Sequence, residues 1–250
     1  CALECAEDIK RSIETSTSGE VAGIIIEPVM GVGGFIIPPR EYHQRAYQII
    51  KEFGGKYISD EVQTGVGRTG ESFFGIEASD VIPDMVTMAK GLGNGVPIGA
   101  VIANEDCAQA TKGKVHFNTF AGGAYQSMQA LKVLEILHEE DCINNAKVVG
   151  QYLREGLLEL KEEFSLIGDV RTKGLMLALE LVEDRKTKTP AVEMTGRVLD
   201  SCRDHALLIG KGGLYGNVIR MSPPLTTTKD EADQLLKRLG KGFKDAIKHR

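Results

Sequence analysis

The chain has 250 residues, of which 42% are hydrophobic and 26% charged, and its formal net charge is −5. These proportions are ordinary for a globular protein with a core large enough for one large domain or two small ones. The acidic balance offers no positive surface for nucleic acid or an anionic membrane, and we expect neither as a partner, since apolar runs also stay below membrane-spanning length.

The first half of the chain is predicted to alternate between helices and strands. The Cys1-Ala2-Leu3 start resembles neither a signal peptide nor an Arg-rich transit sequence. The last strand of this half follows its predecessor so closely that it should run antiparallel. The elements predicted from apolar periodicity and turn residues are a helix over 2–13, a strand over 21–27, a helix from Pro38 to Phe53, and strands over 57–60, 85–89 and 99–103.

The second half is predicted to begin with helices and to end as a smaller α/β unit. From Gly123 onward, the apolar spacing of Met128, Leu131, Leu134 and Leu137 predicts buried core positions. The further elements are a helix over 144–163, strands around 169–182, 207–210 and 218–221, and a final helix with a capping box at Thr228. We therefore expect a large domain over 1–142 and a small C-terminal α/β domain, with its linking helix, over 143–250.

Two of the predicted strands end in side chains of opposite charge. The run from Tyr57 ends at Asp60, and the run from Met85 ends at Lys90. Ligands of open α/β sheets bind at the carboxyl ends of strands. Pyridoxal phosphate (PLP) needs a lysine that forms a Schiff base with its aldehyde and an acid that pairs with its pyridine nitrogen. Taken singly, Lys90 is more often a solvated surface charge, and Asp60 has the alternative of a helix cap or turn residue.

Five short motifs around this pair occur together in one order. They are Ile25-Ile26-Glu27-Pro28-Val29, Ser59-Asp60-Glu61-Val62-Gln63-Thr64-Gly65, Met88-Ala89-Lys90-Gly91, His116-Phe117-Asn118-Thr119-Phe120 and Val218-Ile219-Arg220. In this combination the chain resembles a class III (fold-type I) aminotransferase. The resemblance implies the fold-type I PLP-transferase fold, with a mostly parallel sheet in the large domain. It also implies that the chain starts partway into that domain, without the loop that holds the cofactor phosphate, and by itself retains PLP weakly.

The resemblance assigns roles at the cofactor to individual residues. Asp60 pairs with the pyridine nitrogen, Val62 packs against the ring, and Gln63 binds the ring hydroxyl. Glu27 matches a glutamate near the cofactor. Thr119 matches a threonine that contacts the cofactor phosphate of the neighbouring subunit, which implies a homodimer or homotetramer with shared active sites. A helix-capping role for Thr119 is the alternative.

Arg220 resembles the arginine that holds the α-carboxylate of the substrate, for which a planar guanidinium is suited. Its alternative is a rim salt bridge. Val32 stands where relatives specialised for ω-amines have a glutamate that pairs with this arginine. Arg220 should therefore stay available to small carboxylates such as alanine, pyruvate or glyoxylate.

Two other kinds of site are not expected. The segment Gly65-Val66-Gly67-Arg68-Thr69-Gly70 fits a dinucleotide-binding fingerprint, but the residues that follow lack the helical periodicity that such a site requires. The histidines lack the paired spacing of metal ligands, and the cysteines, which are odd in number, are expected to be reduced thiols. We therefore predict no metal centre.

The expected function is transfer of an amino group from an alanine-like donor to a small α-keto acid, glyoxylate or pyruvate, through PLP. Alternatives with the same fold are an ω-amino acid:pyruvate transaminase, an aminomutase or a decarboxylase. An alternative of another class is a truncated, catalytically inactive dimer partner. The resemblance implies the mitochondrial matrix as location, and without it the cytoplasm is expected.

Overall fold

The computed structural model describes residues 2–248, so Cys1 of the opening tripeptide lies outside the described residues. The contacts divide the chain into two compact units. The domain boundary suggested at residue 142 stays a prediction. The first unit comprises Cys1–Val29, Pro38–Gly67 and Ser72–Asp141, and the second comprises Met30–Ile37, Arg68–Glu71 and Cys142–Arg250.

A mixed, mostly parallel sheet forms the centre of the first unit. Its strands β1 to β3 run parallel, and β4 pairs with β3 in the antiparallel direction, as the short connection between them predicts. The strands are β1 (Gly23–Ile26), β2 (Lys56–Asp60), β3 (Met85–Met88) and β4 (Ala100–Ala103), and the helices are α1 (Ala2–Ser16), α2 (Arg40–Glu52), α3 (Glu105–Gln109) and α4 (Ala124–Glu139).

Helix α2 shows why these segments fold as they do. It begins after Pro39, whose ring cannot donate a hydrogen bond and therefore suits a helix start. Its apolar side buries Ala46, Ile49 and Ile50 at helical spacing. The chain then turns at Gly54, where φ is +75°, and enters β2.

Helix α4 departs from the prediction. Met128, Leu131 and Leu134, interpreted from their spacing as core residues, are 65%, 51% and 36% exposed. Leu137 is buried as predicted. The interpretation was wrong for the three exposed residues because periodicity identifies an apolar face but not what covers it, and the described residues leave this face uncovered.

The second unit consists of an antiparallel sheet in the order β5-β6-β8-β7 and three long helices. The predicted strand over 169–182 is two strands, because the chain reverses at Gly174 with φ +53°. Helix α6 was not predicted. The elements are α5 (Cys142–Glu163), β5 (Ile167–Lys173), β6 (Met176–Leu181), α6 (Val192–Asp204), β7 (Gly210–Gly212), β8 (Val218–Met221) and α7 (Lys229–Lys248).

The core of this unit lies between β6 and the helices. Leu177 and Leu179 of β6 are completely buried, and the rings of Phe164 and Phe243 stack with centroids 5.1 Å apart. The predicted capping box at the start of α7 is present, since Thr228 N donates to Glu231 at 2.8 Å and Glu231 N donates to the Thr228 hydroxyl at 3.3 Å. Among residues 2–248, the helices are too short or too polar to cross a membrane.

Helices α6 and α7 approach each other closely at Gly242. A Cβ added to Gly242 would overlap the Sγ of Cys202 and lie 3.2 Å from its Cα. Burial raises the pKa of the Cys202 thiol to about 11, so this sulfur is a neutral, closely packed group. By contrast, a Cβ added to Gly196 within α6 would meet nothing within 4 Å.

Replacing these two glycines by alanine should therefore have opposite effects on stability. Gly242→Ala should lower the free energy of unfolding by about 1–3 kcal/mol, because the close approach of α6 leaves no space for a methyl group. Gly196→Ala should leave it unchanged or raise it by up to about 1 kcal/mol, since alanine favours a helix interior. Urea unfolding of both variants measures the difference, and equal effects would contradict this account of the α6–α7 contact.

Candidate active site

Three charged residues lie at or just beyond the carboxyl ends of neighbouring strands in the first unit's sheet. Glu27 directly follows β1, Asp60 is the last residue of β2, and Lys90 comes two residues after β3. Because β1, β2 and β3 are parallel, these residues all lie at the carboxyl ends of their strands. This is the edge at which open α/β sheets bind their ligands.

Asp60 is held by its own turn and by the neighbouring strand. It pairs in register with Thr87 of β3. Its Oδ1 accepts hydrogen bonds from Val62 N at 3.0 Å and from the Thr87 hydroxyl at 3.4 Å. The first of these is the contact expected of a turn aspartate. Both bonds end on Oδ1, so within residues 2–248 the other carboxylate oxygen keeps its lone pairs for a ligand.

Lys90 begins a short 3-10 turn, Lys90–Leu92, immediately beyond β3. Its φ of +42° lies in the left-handed region, which costs a non-glycine residue of the order of 1 kcal/mol. Its carbonyl oxygen accepts from the amides of Gly93 and Asn94, both at 3.1 Å. The side chain is exposed, as the surface-charge alternative predicts, and its amine is therefore open to a ligand.

The loop after Asp60 packs against the turn that carries Lys90. A Cβ added to Gly91 would lie 3.6 Å from the Cβ of Val66. Val66 is buried and has φ +61°, a conformation that is rare for a β-branched residue. Strained backbone of this kind concentrates at functional sites, where the surrounding structure enforces it. The segments that carry Asp60 and Lys90 thus lie next to each other.

Glu27 and Gln63 form a further contact at this edge. The Gln63 side-chain amide donates to the Glu27 carboxylate at 3.2 Å. Behind them lies His43 of α2, whose Nε2 is 3.3 Å from the carbonyl oxygen of Pro28 and whose Nδ1 is 3.0 Å from the Tyr57 hydroxyl. The buried histidine therefore supports the segment after β1 and contacts the side chain of Tyr57 near the start of β2.

Thr119 lies in an exposed loop of the first unit. The alternative interpretation of a helix cap is wrong, because α4 has Gly123 at its N-cap position. Asn118 instead organises the loop, since its side-chain oxygen accepts from Phe120 N at 3.0 Å. The contact of Thr119 with a cofactor phosphate stays a prediction.

Arg220 belongs to the second unit and lies on β8. Its Nη1 donates to the carbonyl oxygen of Gly31 at 2.8 Å, and its guanidinium carbon lies 5.5 Å from the centre of the Phe35 ring. A weaker bond of 3.4 Å links Nη2 to the Lys211 carbonyl, while Nε is buried without a hydrogen-bond partner in the described structure. These partners are carbonyls and an aromatic face, so the described residues give no support to the salt-bridge alternative.

The glycine-rich segment after Asp60 does not continue into an α-helix. The residues after Gly70 form turns and a 3-10 turn at Gly75–Ser79 in place of the helix that a dinucleotide site requires. Within residues 2–248, His, Cys, Asp and Glu side chains form no group of three or more that could hold a metal ion.

Sequence reasoning missed Thr87, Val66 and His43 as supports of this edge. Thr87 is the register partner of Asp60, so the two side chains lie on the same side of the sheet. This pairing is the feature from which the role of Thr87 could have been predicted. Val66 gave no signal, because a β-branched residue is not expected at positive φ. His43 was weighed only as a metal ligand, although its place on the buried side of α2 indicated a core histidine.

Comparison with known proteins agrees with this fold. The family model "Aminotransferase class-III" matches residues 2–243, and the chain belongs to this family. Its fold is that of the fold-type I PLP transferases, as the following solved structure illustrates. An amine transaminase from an uncultivated Pseudomonas species, in its PLP-bound form, has a TM-score of 0.90 and 36% identity over 98% of this chain and 57% of its own.

Two curated relatives show the range of activities around this chain. Alanine–glyoxylate aminotransferase 2 homolog 2, mitochondrial, of Arabidopsis thaliana is 47% identical over 94% of this chain and 49% of its own length. Leucine/methionine racemase of Thermococcus litoralis is 39% identical over 98% of this chain and 55% of its own length. The chain thus spans about half the length of the curated relatives it matches.

The buried histidine behind the edge should make stability depend on pH. Desolvation lowers the pKa of His43 below its ordinary 6.5, although the Pro28 carbonyl opposes this shift. The unfolded chain then binds the proton more readily, so the contribution is complete above about pH 6.5 and is lost as the pH falls toward the folded pKa. Urea unfolding between pH 7.5 and 5 should show decreasing stability, and His43→Asn should flatten this slope. An unchanged slope in the variant would contradict the assignment.

Proposed function

We propose that the protein is a PLP-dependent aminotransferase that moves an amino group from an alanine-like donor to a small α-keto acid such as glyoxylate or pyruvate. The observation that carries this proposal is the placement of the Lys90 amine and the Asp60 carboxylate after neighbouring parallel strands of one sheet. Membership of the class III family supports it, as does the name of the Arabidopsis relative.

The residues at this edge fit the chemistry of PLP. The exposed amine of Lys90 suits the cofactor aldehyde, and the unoccupied Oδ2 of Asp60 suits the protonated ring nitrogen. Gln63, held by Glu27, suits the ring hydroxyl, and Val62 suits the apolar ring face. Thr119 is proposed to bind the phosphate. When bound, PLP supplies an electron sink for the substrate Cα.

The reaction requires one side chain that moves a proton and one that keeps the ring nitrogen of PLP protonated. With PLP bound, Lys90 Nζ would take the proton from the substrate Cα and deliver it to C4′ of the cofactor, a role that arginine cannot fill because it stays protonated. Asp60, as an ion, keeps the ring nitrogen protonated through a charge-assisted hydrogen bond. The bonds from Val62 N and the Thr87 hydroxyl to Asp60 Oδ1 hold the carboxylate in one orientation.

Arg220 is proposed to bind the α-carboxylate of the substrate. Among the described residues, its Nη2 makes only a long bond of 3.4 Å to the Lys211 carbonyl, so this end of the guanidinium retains capacity for an anion. Phe35 beneath it and the Gly31 carbonyl fix its plane. Val32 provides no carboxylate that could compete for this arginine, which favours small amino and keto acids over ω-amines.

A homodimer or homotetramer with shared active sites, located in the mitochondrial matrix, completes the proposal. The uncovered apolar face of α4, with Tyr125, Met128 and Leu131, supports a partner subunit, because soluble proteins rarely leave such a face in water. Phe117 and Phe120 beside Thr119 are exposed as well. The location is supported by the mitochondrial designation of the Arabidopsis relative.

The racemase relative favours a second candidate, amino-acid racemisation at the same Lys90 and Asp60. The two reactions differ in what they consume. Transamination of L-alanine requires a keto acid and yields pyruvate, whereas racemisation yields D-amino acid without one. Incubation of the protein with PLP and L-alanine, L-leucine or L-methionine, with and without glyoxylate, distinguishes the two by the products formed.

Reduction with borohydride should attach PLP to one lysine. After PLP is added to the purified protein, the reduced adduct should map to Lys90, because this amine lies at the strand edge with Asp60. Lys90→Ala should abolish the adduct and the transaminase activity, while Lys237→Ala, a substitution of an exposed lysine on α7, should change neither. An adduct spread over surface lysines, or activity retained in Lys90→Ala, would refute the role of Lys90.

Two glycines of β7 offer a matched test of Arg220. A Cβ at Gly212 would lie 2.5 Å from Arg220 Nε and 2.8 Å from its Cδ, whereas a Cβ at Gly210 would come no closer than 3.5 Å, to the Arg220 carbonyl oxygen. Gly212→Ala should therefore displace the guanidinium and raise the KM for L-alanine about tenfold, the loss expected for one bond to a charged group. Gly210→Ala should leave KM unchanged. Equal KM values in the two variants would argue against a substrate contact.

A further inference from the structure

Glu61, the residue next to Asp60, is a buried carboxylate with a complete set of hydrogen bonds. Only 1% of its surface is exposed. Its Oε1 accepts from the Ser59 hydroxyl at 3.2 Å and from Ile76 N at 2.9 Å. Its Oε2 accepts from the Thr64 hydroxyl at 2.5 Å and from Gly75 N at 2.8 Å. All four donors are uncharged groups.

This arrangement requires a carboxylate at position 61. Four donors converge on two oxygen atoms, and among side chains the ionised carboxylate is the one that offers about four lone-pair sites and no hydrogen of its own. A glutamine would turn an N–H group toward either Gly75 N or Ile76 N and leave that buried amide unsatisfied. Burial of a charge costs free energy. The charge is retained at this position because the four converging donors all need acceptors.

The four bonds hold both sides of the Asp60 turn. Ser59 precedes Asp60 within β2, Thr64 lies beyond it in the loop, and Gly75 and Ile76 begin the 3-10 turn that closes the loop. The backbone of Glu61 adds a tie to the strand before Lys90, since its amide donates to the Thr87 carbonyl at 3.0 Å. Asp60 therefore lies within a segment that is fixed before it, after it and from the side.

Asp60 and Glu61 point in opposite directions because successive side chains of an extended segment alternate. Glu61 points into the interior, whereas Asp60 is only half buried and keeps Oδ2 available. We propose that Glu61 is a positioning residue that fixes the direction of the Asp60 carboxylate toward the ring nitrogen of PLP. This inference rests on the proposed function, since the role of Asp60 does.

Two threonines provide a matched pair for the test. Thr64→Val removes one bond to Glu61 and keeps the shape of the side chain. Thr69→Val makes the same change at a buried threonine whose hydroxyl has no hydrogen-bond partner in the described structure. Both substitutions are made in the holoenzyme and again in the Asp60→Asn background, and kcat, KM, melting temperature and the visible absorption of the bound cofactor are measured.

If Glu61 acts through Asp60, Thr64→Val lowers kcat roughly tenfold with little change in KM for L-alanine, as a small misplacement of a catalytic group does. Its absorption maximum moves in the same direction as in Asp60→Asn. In the Asp60→Asn background the same substitution causes no further loss of kcat. Thr69→Val changes neither quantity. Ser59→Ala, which removes a longer bond to Glu61, replaces Thr64→Val if that variant does not fold.

A lower melting temperature with unchanged kcat and absorption in Thr64→Val would overturn the inference and leave Glu61 a purely structural residue. The same holds if the loss of kcat is equally large in the Asp60→Asn background. Failure of the proposed function gives a different result, because the unsubstituted protein would then form no PLP adduct at Lys90, and both ideas would fall together.

Discussion

The parallel pairing of β2 with β3 is the constraint on which the candidate site depends. This pairing places Asp60 opposite Thr87 and so aligns the strand that ends in the acid with the strand that precedes Lys90. A slip of one residue would turn Asp60 toward the interior and Glu61 toward the ligand edge. The bond from Glu61 N to Thr87 O extends the pairing one residue beyond the end of β2 and protects the register where it matters most.

Two buried acids fix the opposite ends of this strand pair. At the ligand edge Glu61 gathers the loop around Asp60. At the other end Asp84 accepts from Tyr57 N at 2.7 Å, from the Asn104 amide at 3.0 Å and from Lys51 at 2.5 Å. Burial by itself would raise the pKa of Asp84, but the bonds from Lys51 and Tyr57 outweigh it and the pKa is lowered. The two strands that carry the charged edge are thus held by buried carboxylates that form hydrogen bonds inside the protein.

The sequence predicted the parts of the fold that depend on local patterns. Apolar runs located the strands before Asp60 and Lys90, and a short connection predicted the direction of β4. The same reasoning missed the reversal at Gly174, because a single glycine within a strand pattern also fits a bulge, and it misjudged Met128, whose burial depends on what covers α4. The contact of Gln63 with Glu27 joins residues far apart in sequence, so periodicity could not reveal it. The roles of Val62, Thr119 and Arg220 came from resemblance to a family and stay predictions.

The left-handed backbone at Lys90 and Val66 bears on how this protein tolerates change. Each position gives up stability of the order of 1 kcal/mol to hold its conformation. At Val66, glycine would relieve the strain at the loss of a buried side chain. At Lys90 glycine cannot replace the residue in the same way, because the proposed chemistry needs the lysine side chain. Substitutions selected for thermal tolerance would therefore stabilise other parts of the chain. The turn after β3 would keep its strained backbone, because the activity requires a lysine there.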